Sequence, residues 1–368
     1  MNEVTNLVFN RRANGLLIKK IGDVVDYQQP TQYIVNSANY DDAYNVPVLT
    51  AGQTFILGYT NEKSGIYPAS KATPVIIFDD FTGAFKWVDF PFKVKSSAMK
   101  FLKVKNDDVL LRYIFHVMGY LNFSSAEHKR LWIGTYSEFE IPIPSLAVQE
   151  EIVRILDKFT ELEAELEAEL EARKKQYEWY RDRLLSFDEG VKRVKIKSIA
   201  EVGTGSSNGN EAEVNGKYPF YIRSQTIKQK NKYEFDEEAI IIPGEGGIGD
   251  IFHYINGKYA LHQRAYRIHF THPEISARFA FYYMKANFKK FIMGKAVSAT
   301  VSSIRKPMIE DFEIPMPPIE EQHRIVSILD RLDALCNDIS TGLPAEIAAR
   351  RKQYEYYRDK LLSFEGVA

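Results

Sequence analysis

Residues 160–173 read T-ELEA-ELEA-ELEA-R, one tetrapeptide written three times near the middle of a chain of 368 residues. The tract lies inside a longer pattern of large side chains at steps of three and four residues, which runs from Ile152 to Leu184. Such steps place the large side chains along one face of a helix, as in the seam of a coiled coil. The pattern therefore predicts a long helix over residues 145–190 that contains the repeat.

The same plan occurs a second time in the chain. The paired stretches are FEIPIPSLAVQEEIVRILDKF (139–159) with FEIPMPPIEEQHRIVSILDRL (312–332), and RKKQYEWYRDRLLSF (173–187) with RRKQYEYYRDKLLSF (350–364). Weaker similarity precedes each copy, as in IKKIGDVV (18–25) and IKSIAEVG (196–203). Similarity in the same order over this length of chain indicates a tandem duplication.

Between the helical patterns, the chain has short β-branched or aromatic tracts punctuated by Gly and Pro, such as TPVIIFDDF (73–81) and AIIIPGEGG (239–247). These tracts predict mixed α/β domains. The predicted fold is α+β: two such domains separated by two long antiparallel coiled-coil helices, with a pseudo-twofold relation. The predicted boundaries are a first domain at 1–144 with an N-terminal extension at 1–16, a helix at 145–190, a second domain at 191–316, and a second helix at 317–368 with a break near 342–344.

The net charge of −1 conceals an uneven distribution of charge. Residues 191–318 carry 19 basic and 13 acidic side chains, whereas residues 141–190 carry 7 basic and 13 acidic ones. Phosphates respond to local potential, so a neutral total is compatible with a basic face that binds nucleic acid. The absence of a long apolar run and of a signal-peptide core predicts a cytoplasmic protein that does not enter a membrane.

The motifs of common catalytic sites are absent from the sequence. The single cysteine, Cys336, excludes an internal disulfide and a multi-cysteine zinc site, and no P-loop pattern occurs. GEGGIGD (244–250) is typical of a tight turn rather than a phosphate cradle. Asp108, Glu127 and Lys129 loosely resemble a metal-dependent nuclease site, an alternative that the second copy does not repeat. We therefore predict no catalytic residue, no metal site and no cofactor bound by this chain.

Three motifs present in both copies carry a family resemblance: F-E-I-P-[IM]-P, the helix entry with I-V-x-I-L-D, and R-[KR]-K-Q-Y-E-[WY]-Y-R-D-[KR]-L-L-S-F. With them, nearly the whole chain resembles the specificity subunit of Type I restriction–modification enzymes. The resemblance implies two target recognition domains, each reading one half of a bipartite site in double-stranded DNA. It also implies helices that space the half-sites and dock two methyltransferase (modification) subunits. The alternative is a coiled-coil scaffold for protein interactions.

The resemblance assigns the chemistry to partner proteins. Methylation, ATP hydrolysis and cleavage would belong to the methyltransferase subunits and to the restriction/translocase subunits of the full complex. S-adenosylmethionine, ATP and Mg²⁺ would accordingly bind to those partners.

Given this resemblance, the ELEA repeat is interpreted as a ruler, a helical segment whose length sets the spacing between the two half-sites. One unit of four residues lengthens a helix by about 6 Å, and a base pair rises about 3.4 Å, so one unit would change the half-site spacing by one to two base pairs. Four residues also rotate a helix by about 400°, which keeps the seam nearly in phase. The alternative is a scar of replication slippage on a tolerant helix.

Candidate DNA contacts are polar side chains between apolar tracts, because base edges and phosphates need donors and acceptors. In the first domain they are Thr50, Gln53, Thr54, Lys95, Ser96, Ser97 and Lys100, with the stretch 122–130 as a third segment. In the second domain they are Arg223, Ser224, Gln225, Thr226, His262, Gln263, Arg264, Lys295, Ser298, Thr300, Ser303 and Arg305. Among these, Gln263 and Arg264 are the predicted base readers, and Lys95, Lys100, Lys295 and Arg305 the predicted phosphate contacts.

Candidate docking residues for the methyltransferase are Tyr177, Tyr180, Arg181, Tyr354, Tyr357 and Arg358, since Tyr and Arg are favoured interface anchors. The alternative is that these residues form the packed end of the coiled coil. Arg112 and Arg278, which match across the copies, are expected to brace the domains.

Overall fold

The computed structural model describes residues 17–52, 54–123, 129–295 and 303–364. The chain divides into two compact units: unit 1 is Met1–Glu165 with Ile347–Ala368, and unit 2 is Leu166–Glu346. Each unit thus combines one domain with helical segments from both copies of the duplicated plan.

The helices of the described residues alternate with groups of strands. They are α1 (Ile21–Val24), α2 (Leu111–Leu121), α3 (Leu146–Leu184), α4 (Ala277–Lys295), α5 (Lys306–Glu310), α6 (Ile319–Asn337) and α7 (Leu343–Leu362). The strands up to α3 are β1 (Leu17–Lys20), β2 (Val25–Gln28), β3 (Val46–Leu49), β4 (Ile56–Thr60), β5 (Val75–Asp79), β6 (Phe85–Val88), β7 (Lys93–Val94), β8 (Met99–Val104) and β9 (Glu140–Ile143). Those after it are β10 (Arg193–Lys195), β11 (Ala200–Thr204), β12 (Tyr218–Tyr221), β13 (Lys228–Lys230), β14 (Phe235–Pro243), β15 (His253–Leu261), β16 (Ala265–Phe270) and β17 (Glu313–Pro315).

The domain of unit 1 is built on two small sheets, with strand orders β2-β8-β5-β6 and β4-β3-β7. The central strand β5 carries the run Val75–Phe78, whose four side chains have 0% exposure. A strand covered on both faces needs such an unbroken apolar run. Helix α2 packs on this core, and Ile152 and Leu156 of α3 enter the same hydrophobic cluster.

The domain of unit 2 carries one six-stranded sheet, with strand order β11-β16-β14-β15-β12-β13. Its central strand β14 contains Ile240–Ile242, which are buried. Helix α4 contributes Phe279 and Phe288 to the core of this unit, where Ile325 and Leu329 of α6 also pack. The apolar steps of the helices therefore face their own unit's domain, as an amphipathic seam requires.

Within unit 1, α3 and α7 pair in opposite directions. The ring of Phe159 stacks on that of Tyr357 at 5.1 Å between centroids. One turn further along α3, Glu163 pairs with Arg351, which lies earlier in α7. Residue numbers thus increase along α3 in the direction in which they decrease along α7, so the two helices are antiparallel. The predicted α+β class and tandem duplication are confirmed.

The two helical stretches differ in continuity. Helix α3 runs for 39 residues through the whole ELEA tract. The second stretch is divided at residues 338–342 into α6 and α7, next to the break expected near 342–344. Asp338 accepts hydrogen bonds from the backbone N–H groups of Ser340 and Thr341, which turns the chain. A Cβ on Gly342 would lie 2.5 Å from the carbonyl oxygen of Ala334, so only glycine fits this turn.

Candidate nucleic-acid interface

Two of the candidate segments of unit 2 lie at the same edge of its sheet. Strand β12 pairs in parallel with the end of β15, with Phe220 opposite Ala260 and Tyr221 opposite Leu261. Because neighbouring parallel strands end at the same edge, the segments that follow them, 222–226 and 262–264, emerge side by side. The N–H of His262 donates to the carbonyl of Tyr221 at 2.9 Å and fixes this arrangement.

The candidate segments of unit 1 meet in the same way. Strand β3 pairs in parallel with β7, with Val48 opposite Lys93 and Leu49 opposite Val94. Thr50 and Lys95, which follow these strands, therefore start neighbouring loops. The loop residues Thr54, Lys95, Ser96 and Ser97 are exposed, as contacts to DNA require.

The third candidate segment also reaches this edge in both units. Just after its first-domain copy, the N–H of Leu131 donates to the carbonyl of Asp80 at 2.7 Å, and in unit 2 the N–H of Ile304 donates to the carbonyl of Gly244 at 2.8 Å. The interior of these segments, 124–128 and 296–302 with Ser298 and Thr300, lies outside the described residues, as do Gln53 and the side chain of Lys295. Ser303 and Arg305, at the described end, are exposed.

In unit 2, Gly205 allows the loop after β11 to approach the same edge of the sheet. A Cβ on Gly205 would stand 1.8 Å from the carbonyl oxygen of Leu261, so only glycine permits this approach. The following Ser207 donates its N–H to the carbonyl of Leu261, and the N–H of Gln263 returns to the carbonyl of Ser207 at 2.9 Å. The loop after β11 thereby joins the edge, which the sequence pattern did not indicate.

The two arginines of this edge share one carboxylate. Arg264 donates from Nη1 to Oε1 of Glu245 at 2.9 Å, and Arg223 donates to the same oxygen. The two guanidinium groups hold the pKa of Glu245 below its usual range, with Arg264 contributing most. Sequence analysis missed Glu245, because GEGG was interpreted only as a turn. A cavity of about 610 Å³ beside this trio is lined by Ser224, Lys228 and His262 among others.

His262 is largely buried at this edge and supports its backbone. Its side chain is 6% exposed, and its Nδ1 accepts the N–H of Arg264 at 3.0 Å. Burial, aided by Arg223 and Arg264, lowers its pKa, so the ring is neutral near pH 7. That His262 contacts DNA stays a prediction, and its neighbours Gln263 and Arg264 are exposed.

The prediction for Lys100 is corrected, because it is buried inside unit 1. Its side chain is 1% exposed and its Nζ lies 3.2 Å from Oδ2 of Asp80 and 4.3 Å from the ring centre of Tyr27. Asp80 in turn accepts the N–H of Trp132 at 2.8 Å. A lysine enclosed by these partners stabilises the core and is out of reach of a phosphate.

Of the candidate docking residues, the tyrosines are largely packed. Tyr177 is 9% exposed in the core of unit 2, and burial raises its pKa to about 12. Tyr354 packs against His116, and Tyr357 stacks on Phe159. Tyr180, Arg181 and Arg358 are partly exposed. For Tyr177, Tyr354 and Tyr357 the alternative of a packed helix end fits the structure better.

The exposed aromatic side chains near these helix ends are Trp179 and Tyr356, which adjoin the candidate docking residues Tyr180 and Tyr357. Trp179 is 53% exposed and Tyr356 is 60% exposed, and the two occupy equivalent places in YEWY and YEYY. A cation one turn later lies over each ring: Arg183 is 5.1 Å from the ring of Trp179, and Lys360 is 5.8 Å from that of Tyr356. Sequence analysis named their neighbours because the pattern alone did not fix which face was buried.

Within the described residues, no group of three or more His, Cys, Asp or Glu side chains is arranged to hold a metal ion. Asp108, from the nuclease alternative, lies 3.6 Å from Nζ of Lys19, and Glu127 falls outside the description. None of the described helices is long and apolar enough to cross a membrane.

Comparison with known proteins gives a family match in both halves of the chain. The family model for the Type I restriction modification DNA specificity domain matches twice, at residues 16–172 and 188–349. The EcoR124I/EcoR124II specificity subunit of Escherichia coli is 44% identical over 379 residues, which cover 94% of this chain and 93% of that protein.

Solved structures share the fold. The S subunit of a Type I restriction–modification system from M. genitalium aligns with a TM-score of 0.68 at 15% identity, covering 95% of this chain and 97% of that one. A second chain, from a type I R-M system, aligns with a TM-score of 0.53 at 16% identity over 96% and 99% of the two chains.

Proposed function

Because this chain belongs to the Type I restriction–modification DNA specificity family, we propose that the loop edge of each unit reads one half of a bipartite site in duplex DNA. The chain is the specificity subunit of such a system, and subunits of this kind are its DNA-recognition components. The family resemblance implies one half-site for each unit, and the duplicated edge supports that assignment.

The observation that carries the proposal is the parallel strand pair present in both units. β3 with β7 in unit 1, and β12 with β15 in unit 2, bring separate polar loops to one edge. A rigid sheet that presents several variable loops at one end suits base recognition, because the scaffold stays constant while the loop residues change. In unit 2, the exposed Arg223, Gln263 and Arg264 supply the donors that read guanine and adenine.

The chemistry of the system is assigned to partner subunits. This chain binds no cofactor in our proposal: S-adenosylmethionine serves the methyltransferase subunits, and ATP and Mg²⁺ serve the restriction/translocase subunits. The chain supplies DNA recognition and a platform for assembly.

The docking platform for the methyltransferases is proposed at Trp179 with Arg183 and at Tyr356 with Lys360. An exposed aromatic under a cation is a favourable interface anchor. Each unit carries one such pair at an equivalent position, which suits a partner that binds in two copies. Tyr180, Arg181 and Arg358 would lie toward the margin of these surfaces.

A domain exchange tests the proposal. The complex of this chain with its methyltransferase subunits is expressed in cells whose methylome is then sequenced. Replacing residues 17–140 with the matching domain of another specificity subunit should change one half-site and leave the other intact. Exchange of both half-sites, or of neither, would contradict one reader per unit. Binding to methyltransferase without any DNA preference would support the scaffold alternative.

A further inference from the structure

The two units carry the same pair of polar joints between the recognition domain and the spacer helix, a feature that the family resemblance did not provide. The first joint is a fully buried glutamine in the first turns of the spacer helix. The second is an aspartate eight residues later on the same helix. The aspartate contacts the domain helix, which is α2 in unit 1 and α4 in unit 2, and the glutamine contacts the backbone just before that helix.

The glutamine joint of unit 1 is Gln149, which has 0% exposure. Its Oε1 accepts the N–H of Leu110 at 2.9 Å, and its Nε2 donates to the carbonyls of Asp108 at 3.0 Å and Pro144 at 2.9 Å. One amide thus ties together the start of the domain helix, the residues before α3, and α3 itself.

The glutamine joint of unit 2 repeats this geometry at Gln322, also with 0% exposure. Its Oε1 accepts the N–H of Ser276 at 2.9 Å, and its Nε2 donates to the carbonyls of Glu274 at 2.8 Å and Pro317 at 2.9 Å. Every partner is the equivalent residue of the other copy. Two of the three partner side chains differ between the copies, which the joint tolerates because all of its contacts run to the backbone.

The aspartate joint is likewise duplicated. In unit 1, Nε of Arg112 lies 2.7 Å from Oδ1 of Asp157, which is also 2.7 Å from Nε2 of His116. In unit 2, Nε of Arg278 lies 2.8 Å from Oδ1 of Asp330, which also accepts the hydroxyl of Tyr282 at 2.6 Å. The arginine–aspartate pair is thus retained while its third member differs.

The arginines are themselves held by aromatic rings of their own domain. The guanidinium of Arg112 lies 4.7 Å from the ring centre of Trp87, and that of Arg278 lies 4.7 Å from the ring centre of Tyr254. Since Trp87 belongs to a strand and Arg112 to the domain helix, the joint connects the sheet to the spacer helix.

Two separated joints fix an angle that one joint would leave free. The glutamine and aspartate positions are eight residues apart, about 12 Å along the spacer helix. Rotating the domain about either joint would pull apart the other and leave buried polar groups unpaired, which is unfavourable because those groups have given up their hydrogen bonds to water. The joints therefore restrict the orientation of the domain on its helix, beyond what non-directional apolar packing can do.

We propose that Gln149 with Asp157, and Gln322 with Asp330, are positioning residues that make the half-site spacing selective. The inference rests on the proposed function, since it concerns how the spacer helix transmits its length to the DNA-reading edges. A small domain is about 30 Å across, so a swing of about 7° at its joint moves its far side by roughly 3.5 Å, which is about one base-pair step. A spacer of fixed length selects one gap only if such swings are prevented.

The test measures gap selectivity in the assembled complex with its methyltransferase subunits. Duplexes with both half-sites, taken from the wild-type methylome, are prepared with gaps from two base pairs shorter to two longer than the native gap. We expect wild type to methylate the native gap at least about tenfold faster than gaps one base pair away. Gln322→Leu and, separately, Gln149→Leu should reduce this ratio to below about threefold while the half-site sequences stay unchanged.

Gln353→Leu is the matched control, because Gln353 is an exposed glutamine on α7 and should keep the wild-type ratio. Asp330→Asn and Asp157→Asn provide milder changes of the same joints if a leucine variant fails to fold. A variant that folds yet keeps the full ratio, or loses methylation equally at every gap, would overturn the inference and leave the proposed function intact. A wild-type complex without any gap preference would overturn the proposed function as well.

Discussion

Arg264 and Glu245 form a 2.9 Å charged hydrogen bond at the proposed recognition edge of unit 2, and Arg223 shares the same carboxylate oxygen. The two arginines that could read bases are thus engaged with a carboxylate of their own domain. In the proposed interface, a cognate base pair would replace Glu245 by offering several hydrogen bonds to the arginines, whereas a phosphate would compete with Glu245 for them.

The first prediction follows from this competition. Glu245→Gln removes the negative charge that engages both arginines, so non-specific duplex should bind about three- to tenfold more tightly, with a steeper dependence on salt. The specificity ratio between cognate and random duplex should fall accordingly. Titrations of the assembled complex at several salt concentrations measure both quantities.

The matched control is Glu320→Gln, which removes an equal charge from an exposed position on α6. If both variants bind random duplex equally, then net charge alone explains the effect and Glu245 has no gating role.

The second prediction contrasts two lysines five residues apart. Lys95→Ala should weaken DNA binding and reduce the salt slope by about one, as expected for a lost phosphate contact. Lys100→Met should leave that slope unchanged. It should lower the free energy of unfolding by about 3–5 kcal/mol, because the buried carboxylate of Asp80 would lose the ammonium group that pairs with it. Denaturant unfolding and salt titration of both variants separate the roles, and an unchanged stability of Lys100→Met would contradict its placement in the core.

The third prediction concerns the acid stability of unit 1. Burial lowers the pKa of His116, and the nearby cation Arg112 acts in the same direction, although Asp157 opposes both. His116 therefore donates to Asp157 as a neutral ring, with the hydroxyl of Tyr354 3.4 Å from its other nitrogen.

The pKa of His116 in the folded protein is below its unfolded value of about 6.5. The stabilisation that the neutral His116 ring gives to unit 1 is therefore complete above pH 6.5 and is lost as the pH falls toward the folded pKa. His116→Tyr, which installs the residue found at the equivalent Tyr282, should flatten the fall in melting temperature between pH 7 and pH 5. Equal pH dependence of the variant and wild type would rule out His116 as the source.

The fourth prediction concerns assembly. Trp179→Ala or Tyr356→Ala should each weaken one methyltransferase site by about thirtyfold, the loss of about 2 kcal/mol typical of an interface hot spot. Native mass spectrometry should then show complexes with one methyltransferase in place of two. Val214→Ala, which trims another exposed apolar side chain, should keep both copies. Full occupancy in the tryptophan and tyrosine variants would exclude these residues as anchors.

The sequence predicted the architecture well because the duplicated motifs and helical steps are properties of order along the chain. From their polar character, the sequence predicted Thr50 and Lys95 as DNA contacts of one domain. The parallel pairing of β3 and β7 places the two residues at the start of neighbouring loops. It could not show that Lys100 lies inside the core, since a lysine in the strand MKFLKV reads as an exposed residue until its partner Asp80 is located in space. Glu245 was missed because GEGG was interpreted only as a turn, and Trp179 was missed because the helical pattern did not fix which face was buried.

Gln149 and Gln322 illustrate the limit most clearly. Both lie at the start of the helices that match across the copies, yet nothing in the amino-acid sequence distinguishes them from exposed glutamines. Their role appears only when the backbone groups of a segment some 40 residues away are placed around them.

The central claim is that a continuous helix sets the distance between two readers, and α3 passes unbroken through the ELEA tract. Sequencing the methylomes of cells that carry the chain with one ELEA unit deleted, in its native form, and with one unit added tests this claim most directly. The account predicts two unchanged half-sites whose gap grows by one to two base pairs with each added unit. An identical gap in all three methylomes would contradict it.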